Sequence, residues 1–385
     1  KVDAIRHNSA TSDSLVLSND GSVAIGTCTA KLTSVGGAPL SHRNIISNGA
    51  MTVSQRATSA SYTGGAVFPA LDRFRAVGNS SMTVNTTISQ TADSPDGLGY
   101  CLKVLVNASQ TPSGSENFII RYSGEEQDIK RFGYGTSACK EATISFSVKS
   151  NKTGTYSVQI YLGNYVPNII VTYTINSANT WERKTITLPT YTTSFSHNAD
   201  NAIGVMIDWH LSSGPDDLVG TTGWQTAAGN ARAATGQVNL LDATSNYWQM
   251  TNVQFEVGDT ATSFEHRSVG EELIRCQRYY QKSITGENIY AGNMMGVVGG
   301  NNYCICVQRL SPPMRTKPSI SNIGSVRGWD GSNSMTITNW ATNRSTTDHI
   351  WIEPTASGTS WTVGRSILIG SNNDTTAAVI FSAEL

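Results

Sequence analysis

The stretch Ala142-Thr143-Ile144-Ser145-Phe146-Ser147-Val148-Lys149 alternates apolar and polar side chains. With a period of two, Ile144, Phe146 and Val148 share one face, and Ser145, Ser147 and Lys149 share the other. That is the pattern of an antiparallel strand with one face buried. Similar runs stand on both sides, at 82–84, 101–106, 118–122, 156–162, 169–173, 184–188, 203–209 and 247–256. Many short strands between turn signals predict an all-β domain, a sandwich or jelly roll.

Composition agrees. Of 385 residues only 14% are charged, against ~25% in an ordinary domain, and the formal net charge is −1. Ser, Thr, Asn and Gly take the place of the charges. No positive field is present to drive nucleic-acid binding. No apolar run approaches the ~20 residues that span a bilayer. Eight Trp and 14 Tyr argue against disorder. The chain starts at Lys1 with no apolar segment of the signal-peptide kind, and reads like part of a longer or processed chain.

Four segments follow from the pattern. Residues 1–43 read as an extended β neck, with Asn19-Asp20-Gly21 as a hairpin turn between 15–17 and 23–25. So few large side chains cannot bury a core alone, so the neck must lean on another domain or on copies of itself. Residues 44–267 form the sandwich, in which 211–246 is Gly-, Ala- and Thr-rich and reads as a long functional or mobile loop. Residues 268–282 form a linking helix: Ser268 and Glu271 make a capping box, and Val269, Leu273, Cys276 and Tyr280 make a seam. The seam suits either a helix docked on a sheet or a short trimeric contact. Residues 283–385 form a C-terminal β tip.

Catalytic patterns are lacking. Glu125-Glu126 and Asp216-Asp217 are adjacent acids, which on a strand point to opposite faces, and Glu271-Glu272 is accounted for by helix capping and the helix dipole. No Gly-x-Ser-x-Gly elbow, His-Glu-x-x-His pattern or phosphate loop occurs. The residues call for no catalytic group, no metal and no cofactor, and the expectation is binding without turnover. The six cysteines are scattered, and all are expected to be free thiols, including Cys304 and Cys306.

Aromatic residues carry the binding reading. Sugar C–H faces stack on Trp and Tyr. Trp224 stands between Gly223 and Gln225 in the long loop. Trp329, Trp340, Trp351 and Trp361 follow at steps of 11, 11 and 10, the repeat of a strand plus a turn, which predicts a row of Trp across a sheet. These five are the candidate glycan or receptor contacts, although each also suits packing.

Several stretches resemble a known family. The run 44–56, Asn-Ile-Ile-Ser-Asn-Gly-Ala-Met-Thr-Val-Ser-Gln-Arg, resembles the "N-x-I-x-N-G-x-M-x-x-x-Q-R" opening of fibre-like virion proteins of tailed bacteriophages. Leu71-Asp72-Arg73-Phe74 resembles their next step, Val253 to Arg267 their "Q-x-E-x-G-x-x-A-T-x-F-E-x-R" exit, and Glu271 to Tyr280 their "E-E-L-x-x-C-Q-R-Y-Y" helix. The strands 144–150 and 154–158, with Trp181-Glu182-Arg183-Lys184, are similar to jelly-roll carbohydrate-binding modules. The resemblance implies a homotrimeric tail fibre or similar virion appendage, assembled in the host cytoplasm, whose partners are itself, other tail proteins and a host surface glycan or protein. It implies glycans held on aromatic platforms and, in some modules, a structural Ca²⁺. A capsid-decorating or tail-connecting role is the alternative, and a glycan depolymerase a more distant one.

Overall fold

The computed structural model describes residues 42–79, 82–163, 165–219, 223–225, 232–283, 290, 292–342 and 344–385, together with the backbone of five short strands before them. Those five are β1 (Ala4–Ile5), β2 (Leu15–Leu17), β3 (Val23–Ile25), β4 (Ser34–Val35) and β5 (Ala38–Pro39). β2 and β3 pair antiparallel in the register Leu15↔Ile25, as the hairpin reading requires. The Asn19-Asp20-Gly21 turn itself lies outside the described residues, as does Cys28.

The protein is all-β, as expected. Twelve strands build the sandwich: β6 (Ser59–Tyr62), β7 (Ala66–Val67), β8 (Phe74–Gly78), β9 (Thr86–Thr91), β10 (Cys101–Val106), β11 (Asn117–Glu125), β12 (Ala142–Ser150), β13 (Gly154–Leu162), β14 (Asn168–Ile175), β15 (Glu182–Leu188), β16 (Ile203–Ser213) and β17 (Tyr247–Val257). They form two six-stranded antiparallel sheets, in the orders β15-β12-β17-β10-β9-β6 and β14-β13-β16-β11-β8-β7. A single turn of helix, α1 (Glu126–Ile129), follows β11. The inward residues of both sheets close one core, in which Phe146, Trp209 and Trp248 have no exposed surface. Phe146 meets Trp209 edge-on, with ring centroids 5.9 Å apart.

One reading of β12 changes. Its Ser face is not solvated: Thr143, Ser145 and Ser147 are buried. Arg183 reaches across to Ser145 Oγ (2.9 Å), and Thr143 Oγ1 donates to Gly258 O (2.7 Å). Polar residues on a strand thus mark a polar neighbour here rather than water.

The helix α2 (Val269–Gln277) is capped by Ser268, whose Oγ accepts from the Glu271 amide at 3.2 Å. Its buried face differs from the expected seam. Glu272 and Cys276 are buried, while Val269 is 60% exposed, and Tyr280 belongs to the following strand. The reason is local: Glu272 accepts from the Asn48 amide (2.6 Å) and from Arg267 Nη1 (3.1 Å), which turns its face inward.

The remaining strands are β18 (Tyr280–Ser283), β19 (Gly292–Gly300), β20 (Tyr303–Arg309), β21 (Ser319–Ile323), β22 (Val326–Trp329), β23 (Ser334–Ala341), β24 (His349–Ala356), β25 (Ser366–Ser371) and β26 (Ala378–Ser382). Six of them close a barrel in the order β19-β20-β24-β23-β22-β25, and β18-β26-β21 form a side sheet. A second core fills this unit, around Met294, Val298, Ile350, Ile352, Trp361 and Phe381. Cys304 and Cys306 lie on one strand face inside it with Sγ atoms 4.0 Å apart, and the five described cysteines are unpaired.

The stretches that carry the family resemblance meet at one place. Asn44 Nδ2 donates to Val253 O (3.0 Å), and its Oδ1 accepts from the amides of Ile46 (2.9 Å) and Phe255 (3.1 Å). Asn48 Nδ2 donates to the carbonyls of Val53 (2.8 Å) and Asp72 (2.9 Å). A Cβ on Gly49 would lie 2.2 Å from Val253 O, so only glycine fits there. Arg73, 2% exposed, pairs with Glu384 at 2.8 Å, and Arg56 pairs with the other oxygen of the same carboxylate at 2.6 Å. These motifs therefore fasten the sandwich to the helix and to Glu384, just past β26.

Candidate functional site

Along β11, β13 and β16 the residues that point away from the core form cross-strand rows. Arg75, Arg121, Asp208, Gln159 and Ile170 lie side by side across β8, β11, β16, β13 and β14. Val77, Ile119, His210 and Ser157 form the next row. Despite facing outward, Asp208, His210, Gln159 and Ser157 are buried.

The cover is the long segment after β16. That strand runs on to Ser213, so the segment begins later than its sequence suggests. Gln225 pairs with Asn168 through both backbone groups (2.7 and 3.0 Å), and Ala233 donates to Asp217 O (3.0 Å). Ala234 N donates to Ser157 Oγ (2.8 Å), and Val238 N donates to Thr155 O (2.9 Å). The described parts of the segment are thus laid on the outer face of the second sheet, and a cleft of about 490 Å³ is left beside them. That is the size range of small-ligand sites.

The cleft floor is polar and pre-arranged. Arg121 grips Asp208 with two hydrogen bonds of 2.6 Å each, the bidentate form that fixes both planes. Asp208 beside it holds the Arg121 guanidinium well above the ordinary arginine range against the opposing pull of burial. Tyr161 donates to Gln159 Oε1, and Gln159 Nε2 donates to Asn168 Oδ1 (3.2 Å). Burial pushes the Tyr161 hydroxyl above its ordinary value, so it stays a neutral donor. Asn117 Nδ2 donates to Asp217 Oδ2 (2.9 Å), while Asp217 Oδ1 has no hydrogen-bond donor and sits 3.7 Å from Arg232 Nε. Burial raises the Asp217 carboxyl, and its Asn117 and Arg232 neighbours pull it back.

At the rim stands Tyr165, 43% exposed, its ring edge-on to Tyr161 at 5.5 Å. Its φ of 73° is in the left-handed region, which costs a bulky side chain about 1–3 kcal/mol. A strained backbone that holds a large aromatic open to solvent, beside buried polar groups, is the arrangement of a contact surface.

The tryptophans read from sequence lie elsewhere. Trp224 packs between Tyr134 (5.5 Å) and Tyr191 (5.6 Å) and donates to Pro189 O (2.8 Å), so it pins the long segment to the sandwich. Trp361 is buried in the barrel and donates to Gly328 O (3.3 Å). Trp340 donates to Asn322 (2.9 Å) and Trp351 to Glu353 (2.8 Å), both half-buried. Trp329 is 42% exposed, above an open groove with Asp330, Ser332 and Arg365. No row forms: Trp329 pairs with Ser334, Trp340 with Pro354 and Trp351 with Val307, and Trp361 lies between strands. In an antiparallel meander, equal steps along the chain fall at alternating strand ends rather than side by side.

The acids of the Glu125-Glu126 pair and Glu272 are occupied structurally, while Asp217 keeps one oxygen without a donor. Glu125 takes two hydrogen bonds from Arg278 (2.6 and 2.7 Å), Glu126 meets His197 Nδ1 (2.6 Å), and Glu272 is held as described. Among the described residues no three His, Cys, Asp or Glu gather to hold a metal ion, so no step is assigned to the Ca²⁺ of the resemblance.

No protein-family model matches the sequence, and no curated protein matches it either. In three dimensions the chain is similar to the enzymatically active domain of tailspike protein 4 of bacteriophage CBA120, at 14% identity and TM-score 0.30, over 56% of this chain and 21% of that one. It is similar to the family 11 carbohydrate-binding module of the cellulase Lic26A-Cel5E of Clostridium thermocellum, at 15% identity and TM-score 0.26, over 54% of this chain and 100% of the module. A family 4 carbohydrate-binding module matches at 18% identity and TM-score 0.22, over 44% of this chain and 77% of that one. At these scores the likeness is remote and assigns no ligand to this chain.

Proposed function

We propose that this chain is a glycan-recognition protein of a virion appendage of the tail-fibre type, and that the cleft on the second sheet holds the sugar. One observation carries the reading: Tyr161 and Tyr165 stand edge to face over a floor of buried amide, carboxylate and guanidinium groups. Aromatic edges and faces suit sugar C–H groups, and fixed polar pairs suit hydroxyls. Asp208 is tied to Arg121, which favours holding a ligand over proton transfer. The family-like motifs supply the rigid frame, and the appendage works as a homotrimer in which the neck and the exposed Val269 and Ile274 of α2 lie near the axis.

The test is binding of the intact protein to a panel of bacterial surface polysaccharides, with Tyr165→Ala as the variant. Expected is a loss of about tenfold in affinity with an unchanged melting temperature. Release of reducing sugar by the intact protein would replace binding with turnover. A second reading places host contact at the tip, favoured by the exposure of Trp329 above its groove. In that case Trp329→Ala, and not Tyr165→Ala, lowers attachment to cells.

A further inference from the structure

The cleft is not electrically uniform. At one end Asp217 Oδ1 and Asn79 Oδ1 are buried acceptors with no donor, and the exposed Asp216 stands nearby. At the other end Arg121 lines the cleft, and Arg75, its partner across β8 and β11, borders that end just outside the lining. Arg121 is neutralised by Asp208, and Arg232 lies beside Asp217. Arg75 has no such partner: among the described residues no carboxylate forms an ion pair with it. Its Nη2 donates to Ala66 O (3.2 Å), and its Nε is buried without an acceptor. Burial, and then the neighbouring Arg121, push the Arg75 guanidinium below the ordinary arginine range. A half-buried cation held against another cation is an incomplete arrangement, and an anion completes it.

We infer that the cleft takes an acidic oligosaccharide, with its anionic group against Arg75 and its hydroxyls against Asn79 and Asp217. This rests on the glycan reading of the cleft. Arg121 lies four positions after Asn117 on β11, so the two ends lie about 13 Å apart at ~3.3 Å per residue. Val77 and Ile119 lie between them and offer an apolar bed for sugar C–H faces. A planar carboxylate matches the guanidinium fork, and a phosphodiester in the chain offers the same pair of oxygens.

The experiment uses the intact protein on an array that pairs carboxylated and phosphodiester-containing oligosaccharides with carboxyl-reduced and dephosphorylated counterparts. Expected is binding confined to one acidic class and lost on its neutralisation. Arg75→Gln then weakens the acidic probe about tenfold and leaves the melting temperature unchanged. Which acidic class binds identifies the group. Binding that Tyr165→Ala weakens but that is equal for acidic and neutral probes overturns the inference and leaves the glycan reading standing. So does an acidic preference that Arg75→Gln does not reduce. No binding to any probe, or binding untouched by Tyr165→Ala, overturns the glycan reading and the inference with it.

Discussion

On the sandwich, Asp208, His210 and Gln159 point away from the core and are buried all the same. On the barrel, Met295, Val307 and Val297 point away from the core and are 72%, 55% and 50% exposed. The two outer surfaces thus invert the usual assignment of polar to water and apolar to core. The sandwich holds these polar groups through pairs: Asp208 has Arg121, Gln159 has Tyr161 and Asn168, and His210 Nδ1 has Ser213 at 3.2 Å, while His210 Nε2 is buried without a partner. A polar layer pinned by such pairs under a covering segment is rigid, and the few acceptors and donors it leaves open are what a selective polar site needs. The barrel's open apolar strands offer area without direction.

The comparison breaks first at the cores. Phe146→Ala removes a fully buried ring that meets both Trp209 and Tyr173, and about 3–5 kcal/mol of sandwich stability goes with it. Chemical unfolding followed by tryptophan fluorescence reads this, and a loss below about 1 kcal/mol contradicts the packing. Whether the barrel unfolds in the same transition shows how tightly the two units are joined.

Next comes the joint itself. Glu384→Ala leaves the Arg73 side chain, 1% exposed, without its carboxylate, while Arg56 keeps Asp72 at 3.2 Å. Stranding a buried charge costs about 3–5 kcal/mol. Differential scanning calorimetry is expected to show one transition splitting into two. A single unshifted transition means that the units are held by other contacts.

A smaller difference is electrical. Burial lowers the His210 pKa to about 4, with Arg232 and Arg121 adding to burial and Asp208 opposing it. An ordinary histidine titrates near 6.5. Between the two values the unfolded chain binds a proton that the folded chain refuses. Stability therefore falls as pH falls from about 6.5 to 4, by about 3 kcal/mol in full. Other groups, such as Asp72 with its raised pKa, act in the opposite sense, so His210→Gln against the parent isolates the effect. Equal pH profiles for the two proteins would remove His210 from the account. The smallest effect is on binding: Tyr165→Ala is worth about 1.4 kcal/mol of affinity and nothing of stability, and Trp329→Ala is its control on the barrel.

What the sequence showed and what it withheld follow from range. The alternation through Ile144, Phe146 and Val148 exposed the sandwich because period and burial are local properties. The markers at 44–56 and 253–267 were legible as scaffold, yet their role appears only when Asn44 meets Val253 and Phe255. The cleft was not legible at all. Arg121 and Asp208 lie 87 residues apart and Asn117 and Asp217 lie 100 apart, so only strand register brings them together. Each reads alone as an ordinary outward polar residue on its strand. The long segment after β16 stands out by its composition, but Trp224, its most conspicuous residue, fastens it down, and no sequence signal marks Tyr165. The tryptophan spacing matched strand-plus-turn geometry for Trp329, Trp340 and Trp351, and failed as a row because neighbouring strands run in opposite directions.

The pairing of β18 with β26 has a consequence of another kind. Tyr280 lies opposite Ser382, so the chain enters and leaves the whole barrel unit at adjacent points on one small sheet. A unit with its two ends side by side is a cassette. Between those points the stretch from β19 to β25 touches the sandwich through Arg315, which bonds Asn201 and the carbonyls of Ala383 and Glu384, so an exchanged fold has to carry that one clasp with it. A lineage under pressure to change what the far end meets would need only that exchange, while Arg56, Arg73 and Glu384 keep the socket in shape.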